Sequence, residues 1–258
     1  MITAGFDIGT RVIKACIVDH GKIAGWSKST LEDRIDKVIK KTYVSALDKA
    51  GVKKGKVEKA LATGYCSEML KGKIQPVTEA LCIARATHFL DSKIRTVIDI
   101  GGLSINITTL NDKGHLQETI SNDRCAAGSG KFLEMVSEAT EISMSSISSS
   151  VNISGKPCNI KSNCAVFAES EVISRINAGH SSNAIIASVL YSIASRAVTL
   201  LEKISAPDDM ALIGGVSKIG VLRLILEELV ARKITELPAD PQIISAFGAA
   251  LLAQGKMI

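Results

Sequence analysis

Aromatic side chains are scarce in this chain of 258 residues, at 3% of the sequence, although 46% of the residues are hydrophobic. The core must therefore be built from Ile, Val, Leu and Ala, which suits an α/β protein with buried parallel strands. The net charge of +5 is modest, and the densest basic stretch, KAGVKKGKVEK at 49–59, has no aromatic residues for stacking on bases. We therefore expect no nucleic-acid partner.

Targeting and membrane segments are missing from the sequence as well. The first residues, MITAGFDIG, contain no basic start and no apolar stretch of signal-peptide length, and no run approaches a membrane span. We therefore expect a cytoplasmic protein with no membrane partner. In that reducing compartment the six cysteines are not expected to form stable disulfides, so each is a small hydrophobic residue or a metal ligand.

Common metal-binding spacings are also lacking. The chain has no Cys-x-x-Cys pair, which counts against a self-contained zinc knuckle, and its four histidines lie far apart. Two cysteines nevertheless have distinctive neighbours. Cys125 in SNDRCAAGSGKFLEMV and Cys164 in KSNCAVFAESEVIS each follow polar residues and precede a predicted helix. A helix N-terminus lowers a thiol pKa and favours a bound anion, so the pair suits an iron–sulfur cluster.

The number of thiolates limits how such a cluster can be held. A 4Fe–4S cluster normally takes four thiolates, and even with Cys158 one chain would supply only three. A two-fold dimer supplies four from two copies of Cys125 and Cys164. Zinc with four thiolates across a dimer satisfies the same count, so the residues alone leave both metals open.

One pattern of strands occurs twice in the chain. FDIGTRVIKACIVDHGKIAGW and IDIGGLSINITTLNDKGHLQE each contain an apolar run, Asp-Ile-Gly, a second strand and a polar turn. An internal repeat of this kind governs the predicted fold. Further strands are predicted in KVEKALATGY and MALIGGVSKIG. Helices are predicted at 31–50, at 79–90 with Thr78 as N-cap, from about 130, at 168–177, at 182–204, after MALIGGVSKIG and in the closing PQIISAFGAALLAQ, with a Ser-rich loop at 143–154.

The two Asp-Ile-Gly motifs have the chemistry of a phosphate site. Backbone N–H groups at the glycine turns can cradle phosphate oxygens, and Asp7 and Asp99 can hold a hydrated Mg²⁺. Thr10 adds a hydroxyl donor, and Gly214 and Gly215 leave room for a flat ring. The order and spacing of these motifs resemble the actin, hexokinase and sugar-kinase ATPase superfamily. The resemblance implies an α/β, ribonuclease-H-like fold of two similar lobes, 1–95 and 96–240, with ATP in the cleft between them and helix 241–258 packed back on the first lobe.

Four further motifs narrow the resemblance. NDRCAAGSGKFLE, CAVFAESEVIS, GGVSKIG and PQIISAFGAALLA, in this order, resemble the 2-hydroxyacyl-CoA dehydratase activases and the related ATPase subunits of benzoyl-CoA reductases. The resemblance implies a homodimer with one 4Fe–4S cluster held by Cys125 and Cys164 of each subunit. ATP hydrolysis would drive one low-potential electron from the cluster to a partner dehydratase or reductase, and reduced ferredoxin or flavodoxin would recharge it.

The motifs and the resemblance together assign roles to individual residues. Asp7 and Asp99 are expected as catalytic residues and magnesium ligands. Glu79 and Glu169 are candidates for polarising water or, alternatively, solvated acids at helix starts, and Glu79 is the one we include among the catalytic residues. The expected ATP or ADP contacts are Gly9, Thr10, Lys14, Gly101, Gly102, Gly128, Gly130, Gly214, Gly215 and Val216.

Some positions depart from the family pattern. Gly-Gly-Gln-Asp is common after the second phosphate strand, whereas this chain has Leu103 and Ser104 after the glycines, so a glutamine that could position water is missing. Arg11 follows Thr10 in place of further hydroxyls, and Ile83 follows Cys82 in place of histidine. These departures suggest a divergent branch. Two other functions remain open: a small-molecule kinase of the same superfamily, and a nucleotide-gated scaffold that has lost hydrolysis.

Overall fold

The computed structural model describes residues 1–70, 72, 74–122, 130–151 and 165–255, with side chains from residue 170 in the last range. The strands are β1 (Ile2–Ile8), β2 (Val12–Asp19), β3 (Lys22–Thr30), β4 (Lys59–Thr63), β5 (Gln75–Pro76), β6 (Thr96–Ile100), β7 (Ile105–Leu110), β8 (Leu116–Ser121), β9 (Met210–Ile213) and β10 (Ile234–Thr235). The helices are α1 (Ile35–Ala50), α2 (Glu79–Leu90), α3 (Gly130–Ala139), α4 (Ile147–Ser150), α5 (Ala165–Asn177), α6 (Ser182–Lys203), α7 (Gly220–Val230) and α8 (Ile244–Ala253).

The chain divides into two compact units. The first comprises Met1–Arg95, Thr108–Gln117 and Leu237–Ile258, and the second comprises Thr96–Ile107 and Glu118–Glu236. Two five-stranded sheets are present, in the orders β3-β2-β1-β4-β5 and β10-β9-β6-β7-β8. Read from its other edge, the second sheet has the order β8-β7-β6-β9-β10. If β6 is counted as its first strand, this is the same order as in the first sheet, which confirms the repeat predicted from the sequence.

The first unit is organised by the two faces of β1. Side chains alternate between the faces of a strand, and Ala4, Phe6 and Ile8 pack with α1 in one apolar cluster. On the opposite face, the Thr3 hydroxyl donates a hydrogen bond of 2.8 Å to the Ala250 carbonyl of α8. The alternation places Asp7 on the face that Thr3 shares with α8. Strand β2 lies antiparallel to β1, and β4 lies parallel to it on the other side.

The second unit is built around its own aliphatic core. Strands β6 and β9 are parallel, and their residues Ile98, Ile100 and Leu212 join a buried cluster with residues of α3, α6 and α7. Aliphatic side chains make up nearly all of this cluster, as expected from a sequence with few aromatics. The parallel strands deliver their carboxyl ends to one edge of the sheet, where Asp99 lies next to the last residue of β6.

Several details differ from the sequence-based expectations. The segment 147–150 is the short helix α4 and not loop, because Ile147 is fully buried in the core of the second unit. Thr78 occupies the N-cap position of α2, but its side chain makes no capping hydrogen bond. Helix α1 begins at Ile35, four residues later than predicted. Strands β5 and β10 have two residues each, too few for a periodic signal.

Helix α6 is a long apolar helix, whereas the sequence was expected to contain no apolar run that approaches a membrane span. Among the described residues it is the one helix long and apolar enough to cross a membrane, so by length and composition that expectation is wrong. However, 61% of its apolar window is buried within the protein. The buried residues belong to the core cluster of the second unit, which is the placement of a core helix.

Candidate functional site

The first carboxylate lies near the carboxyl end of β1. Asp7 is only 4% exposed, and its Oδ2 accepts a hydrogen bond of 2.7 Å from Nζ of Lys14 on β2. The antiparallel register pairs these two residues directly, which explains the contact. Gly9 and Thr10 form the turn that joins β1 to β2. The structure therefore places Asp7, Gly9, Thr10 and Lys14 at one hairpin.

Glu79 lies in the same unit, at the first position of α2. It is partly buried, and its Oε1 accepts a hydrogen bond of 3.3 Å from the hydroxyl of Ser245 in α8. Burial, with smaller contributions from the Glu79 and Asp7 carboxylates, raises the pKa of the Cys82 thiol to about 12.

The second carboxylate, Asp99, has an environment similar to that of Asp7, except that its side-chain donor is an amide and not a lysine. Asp99 on β6 is 8% exposed, and its Oδ2 accepts a hydrogen bond of 3.3 Å from Nδ2 of Asn106 on β7. Asn106 lies seven residues after Asp99, as Lys14 lies seven residues after Asp7. The Asn106 amide is oriented by Ser121, whose hydroxyl donates to its Oδ1 at 2.6 Å. A neutral amide therefore occupies the position that a cation holds in the first copy.

The glycines after β6 contact the start of α3. The N–H groups of Gly130 and Lys131 donate to the carbonyls of Gly101 and Gly102 at 3.0 and 2.9 Å. These carbonyls thereby satisfy two of the amides that a helix N-terminus leaves without intrahelical partners. The N–H of Gly101 is itself committed, because it donates to the Ser104 carbonyl at 2.9 Å. Loop and helix are thus joined by backbone hydrogen bonds.

The loop after β9, which contains Gly214, Gly215 and Val216, lies beside the start of α3 and Asp99. A Cβ placed on Gly130 would lie 3.0 Å from Cγ2 of Val216, so Val216 packs against the start of α3. Gly214 follows β9, and a Cβ there would lie 2.5 Å from Oδ1 of Asp99. Gly215 caps the short turn Val216–Lys218. Within the second unit, the structure brings Asp99 close to the described nucleotide contacts Gly101, Gly102, Gly130, Gly214 and Val216.

Sequence reasoning missed two residues of this arrangement. Gly64 follows β4 and lies as close to Asp7 as Gly214 does to Asp99, and Asn106 replaces Lys14 in the second copy. Both had a signal in the sequence. Gly64 is the last residue of ALATG, an apolar strand followed by glycine, and Gly214 is the last residue of the similar ALIG. Asn106 lies seven residues after its aspartate, as Lys14 does.

The predicted cluster ligands Cys125 and Cys164 lie outside the described residues, as do Cys158, Gly128 and the side chain of Glu169. The three described cysteines behave as expected for core or turn residues. Cys16 and Cys82 are fully buried, and burial raises the pKa of each thiol to about 12. Cys66 is partly buried and forms no disulfide. Among the described residues no group of three or more His, Cys, Asp or Glu could hold a metal ion.

A Mg²⁺ at either carboxylate would therefore depend on few protein ligands. Asp7 supplies one carboxylate in the first unit and Asp99 supplies one in the second, and at each of them the remaining positions would be filled by water and phosphate oxygens. This donor set fits the ion, because Mg²⁺ retains several waters and is commonly bound through one or two carboxylates plus substrate phosphates.

Comparison with known proteins covers nearly the whole chain. The family described as the BadF/BadG/BcrA/BcrD ATPase family matches residues 4–253. The activator of lactoyl-CoA dehydratase from Anaerotignum propionicum is 35% identical, over 98% of this chain and 97% of that protein. One of the polypeptides of the benzoyl-CoA reductase from Thauera aromatica is 30% identical, over 97% of this chain and 92% of that protein.

Two solved structures are similar in both sequence and fold. Component A of the (R)-2-hydroxyglutaryl-CoA dehydratase of Acidaminococcus fermentans has 32% identity and a TM-score of 0.91, covering 99% of this chain and 98% of that chain. The activator of the 2-hydroxyisocaproyl-CoA dehydratase from Clostridium difficile, solved with bound ADPNP, has 31% identity and a TM-score of 0.87, covering 99% and 95%. A glucokinase from Streptomyces griseus, at 14% identity and a TM-score of 0.59 over 99% of this chain and 100% of that chain, shares the fold alone. These similarities confirm the predicted fold class.

Proposed function

Because the chain belongs to the BadF/BadG/BcrA/BcrD ATPase family, we propose that it is a cytoplasmic activase that uses ATP hydrolysis to deliver low-potential electrons to a partner dehydratase or reductase. The observation that carries the proposal is the repeated carboxylate. Asp7 and Asp99 lie near the ends of equivalent strands, each buried and each held by the residue seven positions later. Paired strand-end carboxylates suit a Mg²⁺ ion that bridges phosphates.

The nucleotide would be bound by groups that the fold already assembles in each unit. Lys14 is the cation nearest the first carboxylate and would neutralise phosphate charge, with Gly9 and Thr10 beside it. In the second unit the Gly101–Gly102 loop is bonded to the start of α3, and Gly214 to Val216 would line the adenosine. Relatives named as dehydratase activators, one of them solved with ADPNP, support this assignment.

The cluster is the finer part of the proposal. Cys125 precedes α3 by five residues and Cys164 immediately precedes α5, and these two helices contact each other. The thiol donor set fits an iron–sulfur cluster, which supplies one-electron chemistry at low potential. Since one chain offers two such thiols, a homodimer would complete the four ligands.

The backbone offers a route from nucleotide to cluster. The Gly101 and Gly102 carbonyls accept hydrogen bonds from the first residues of α3, the helix that follows Cys125 in the sequence. A movement of the phosphate loop would therefore shift the first residues of this helix through these hydrogen bonds. Reduced ferredoxin or flavodoxin would be the electron donor, and the acceptor would be a dehydratase or reductase of the 2-hydroxyacyl-CoA or benzoyl-CoA type.

The proposal is tested by purifying the protein without oxygen and measuring iron, sulfide, zinc, mass in solution and Mg²⁺-dependent phosphate release. We expect a dimer with about four irons in total, because one 4Fe–4S cluster would use all four thiols. About four irons per chain would rule out the shared site, and zinc without iron would rule out electron transfer. Iron without phosphate release would favour a nucleotide-gated scaffold.

Leu103 provides a second test, because it stands where the family commonly has glutamine. Leu103 is partly buried in the turn closed by the hydrogen bond between Gly101 and Ser104. We expect Leu103→Gln to raise the steady-state ATPase rate about tenfold, a fraction of what a fully supported water-positioning group contributes. Leu103→Met, similar in size but without an amide, should leave the rate unchanged. If the glutamine variant folds and turns over no faster, another group positions the water, and Glu79 becomes the next residue to change.

A further inference from the structure

Two glycines occupy equivalent positions beside the two carboxylates. In the parallel pairing of β1 with β4, Asp7 is aligned with Thr63, and Gly64 is the next residue. In the parallel pairing of β6 with β9, Asp99 is aligned with Ile213, and Gly214 is the next residue. The internal repeat therefore extends to the strand beside each aspartate and to the residue that follows it.

Both glycines approach their aspartate more closely than any other residue could. A Cβ on Gly64 would lie 2.4 Å from Oδ1 of Asp7 and 2.8 Å from the backbone nitrogen of Ile8. A Cβ on Gly214 would lie 2.5 Å from Oδ1 of Asp99 and 2.4 Å from the carbonyl oxygen of Ile100. Both φ angles, +90° and +92°, also lie in the left-handed region that favours glycine.

The other oxygen of each carboxylate is held by a side chain. Oδ2 of Asp7 accepts from Lys14 at 2.7 Å, and Oδ2 of Asp99 accepts from Asn106 at 3.3 Å. Each carboxylate thus has a glycine backbone against one oxygen and a donor on the other. Both carboxylates are therefore held in the same way, although the donor is a charged lysine at Asp7 and a neutral amide at Asp99.

We propose that Gly64 and Gly214 are positioning residues, whose backbones set the orientation in which Asp7 and Asp99 present their carboxylates to Mg²⁺. The proposal rests on the proposed function, since it assumes that these carboxylates face a nucleotide-bound metal ion. A Cβ at either position would push the carboxylate out of its orientation. The part of nucleotide binding that depends on Mg²⁺ would then fall at either position, whereas binding without the metal ion would remain in a variant of Gly64.

The chain supplies matched controls for this experiment. Gly72 has a φ of +87° and Gly179 a φ of +81°, and a Cβ on either would meet nothing within 4 Å among the described residues. Gly72→Ala and Gly179→Ala therefore introduce nearly the same backbone strain as Gly64→Ala and Gly214→Ala without displacing a carboxylate. The measurement is ADP affinity by calorimetry, with Mg²⁺ and with EDTA, together with thermal unfolding.

In the wild type we expect Mg²⁺ to increase ADP affinity. In Gly64→Ala and Gly214→Ala that increase should be smaller by a factor of about ten or more, the scale seen when groups that orient a metal ligand are removed. In Gly64→Ala the affinity in EDTA should stay within about twofold, as should both affinities of the control variants. Gly214 is also proposed to line the adenosine, so Gly214→Ala is judged only by the ratio of its affinities with Mg²⁺ and with EDTA. If the site variants keep the full effect of Mg²⁺, or lose it no more than the controls do, the glycines do not position the carboxylates.

A second variant keeps the proposal testable if alanine at either glycine prevents folding. Asp7→Glu leaves the backbone at Gly64 unchanged but moves the carboxylate by one methylene, so it should lose the Mg²⁺ effect to a similar degree. Wild-type Mg²⁺ dependence in Asp7→Glu would show that the exact carboxylate position is unimportant and would overturn the proposal. By contrast, a wild-type protein whose ADP binding ignores Mg²⁺ would contradict the proposed function itself.

Discussion

Replacing Asp99 by asparagine is expected to lower ATP hydrolysis by about a hundredfold while the protein stays folded. Asparagine keeps the shape of the side chain, and its amide oxygen can still accept from Asn106. What is lost is the negative charge that is proposed to face a Mg²⁺ ion. At an effective dielectric constant of about 20, unit charges about 4 Å apart interact by ~4 kcal/mol. A hundredfold loss corresponds to about 2.7 kcal/mol, so the lost interaction is large enough.

The measurement is phosphate release per chain at saturating ATP and Mg²⁺, with ATP affinity and urea unfolding measured on the same preparation. Asp208→Asn is the matched control, because Asp208 lies in the same unit but is exposed and pairs only with Arg232 across 3.0 Å among the described contacts. We expect the control to hydrolyse ATP at the wild-type rate. If Asp99→Asn retains more than about a tenth of wild-type turnover, Asp99 does not hold the metal ion in the reaction.

The sequence could predict the repeated strands because their signals are local. Each Asp-Ile-Gly ends an apolar run and is followed by a second strand, so both hairpins and both aspartates were predictable from a pattern about twenty residues long. The matching orders β3-β2-β1 and β8-β7-β6 follow from that repeat. Short elements escaped prediction for the opposite reason: α4 has four residues, and only the burial of Ile147 makes it part of the core.

The neighbours of the aspartates were harder to predict because they depend on pairing between distant strands. Gly64 lies 57 positions after Asp7, and only the parallel register of β1 with β4 brings them together. A glycine at a strand end is common, so its sequence signal is weak until the partner strand is known. The sequence does not mark Asn106 as the counterpart of Lys14, because an amide differs from a lysine in charge although each donates to Oδ2 of its own aspartate.

Cys125→Ser is expected to remove essentially all iron from anaerobic preparations of the protein. Serine has nearly the shape of cysteine, but its hydroxyl is not ionised near neutral pH and cannot replace a thiolate on iron. In a homodimer one substitution removes two of the four proposed ligands at once. Cys16 and Cys82 are poor replacements for the lost ligand, since burial raises the pKa of both thiols to about 12.

Cys66→Ser is the matched control for this experiment, because Cys66 is only partly buried and belongs to the first unit. The control should keep wild-type iron and sulfide, whereas Cys125→Ser should lose both and still bind ATP, since the proposed nucleotide contacts do not include Cys125. Electron delivery to an acceptor should disappear with the iron, and dimerisation should weaken because the cluster contributes to association by mass action. Iron and sulfide that survive in Cys125→Ser would show that other residues hold the cluster, and Cys158 would then be tested in its place.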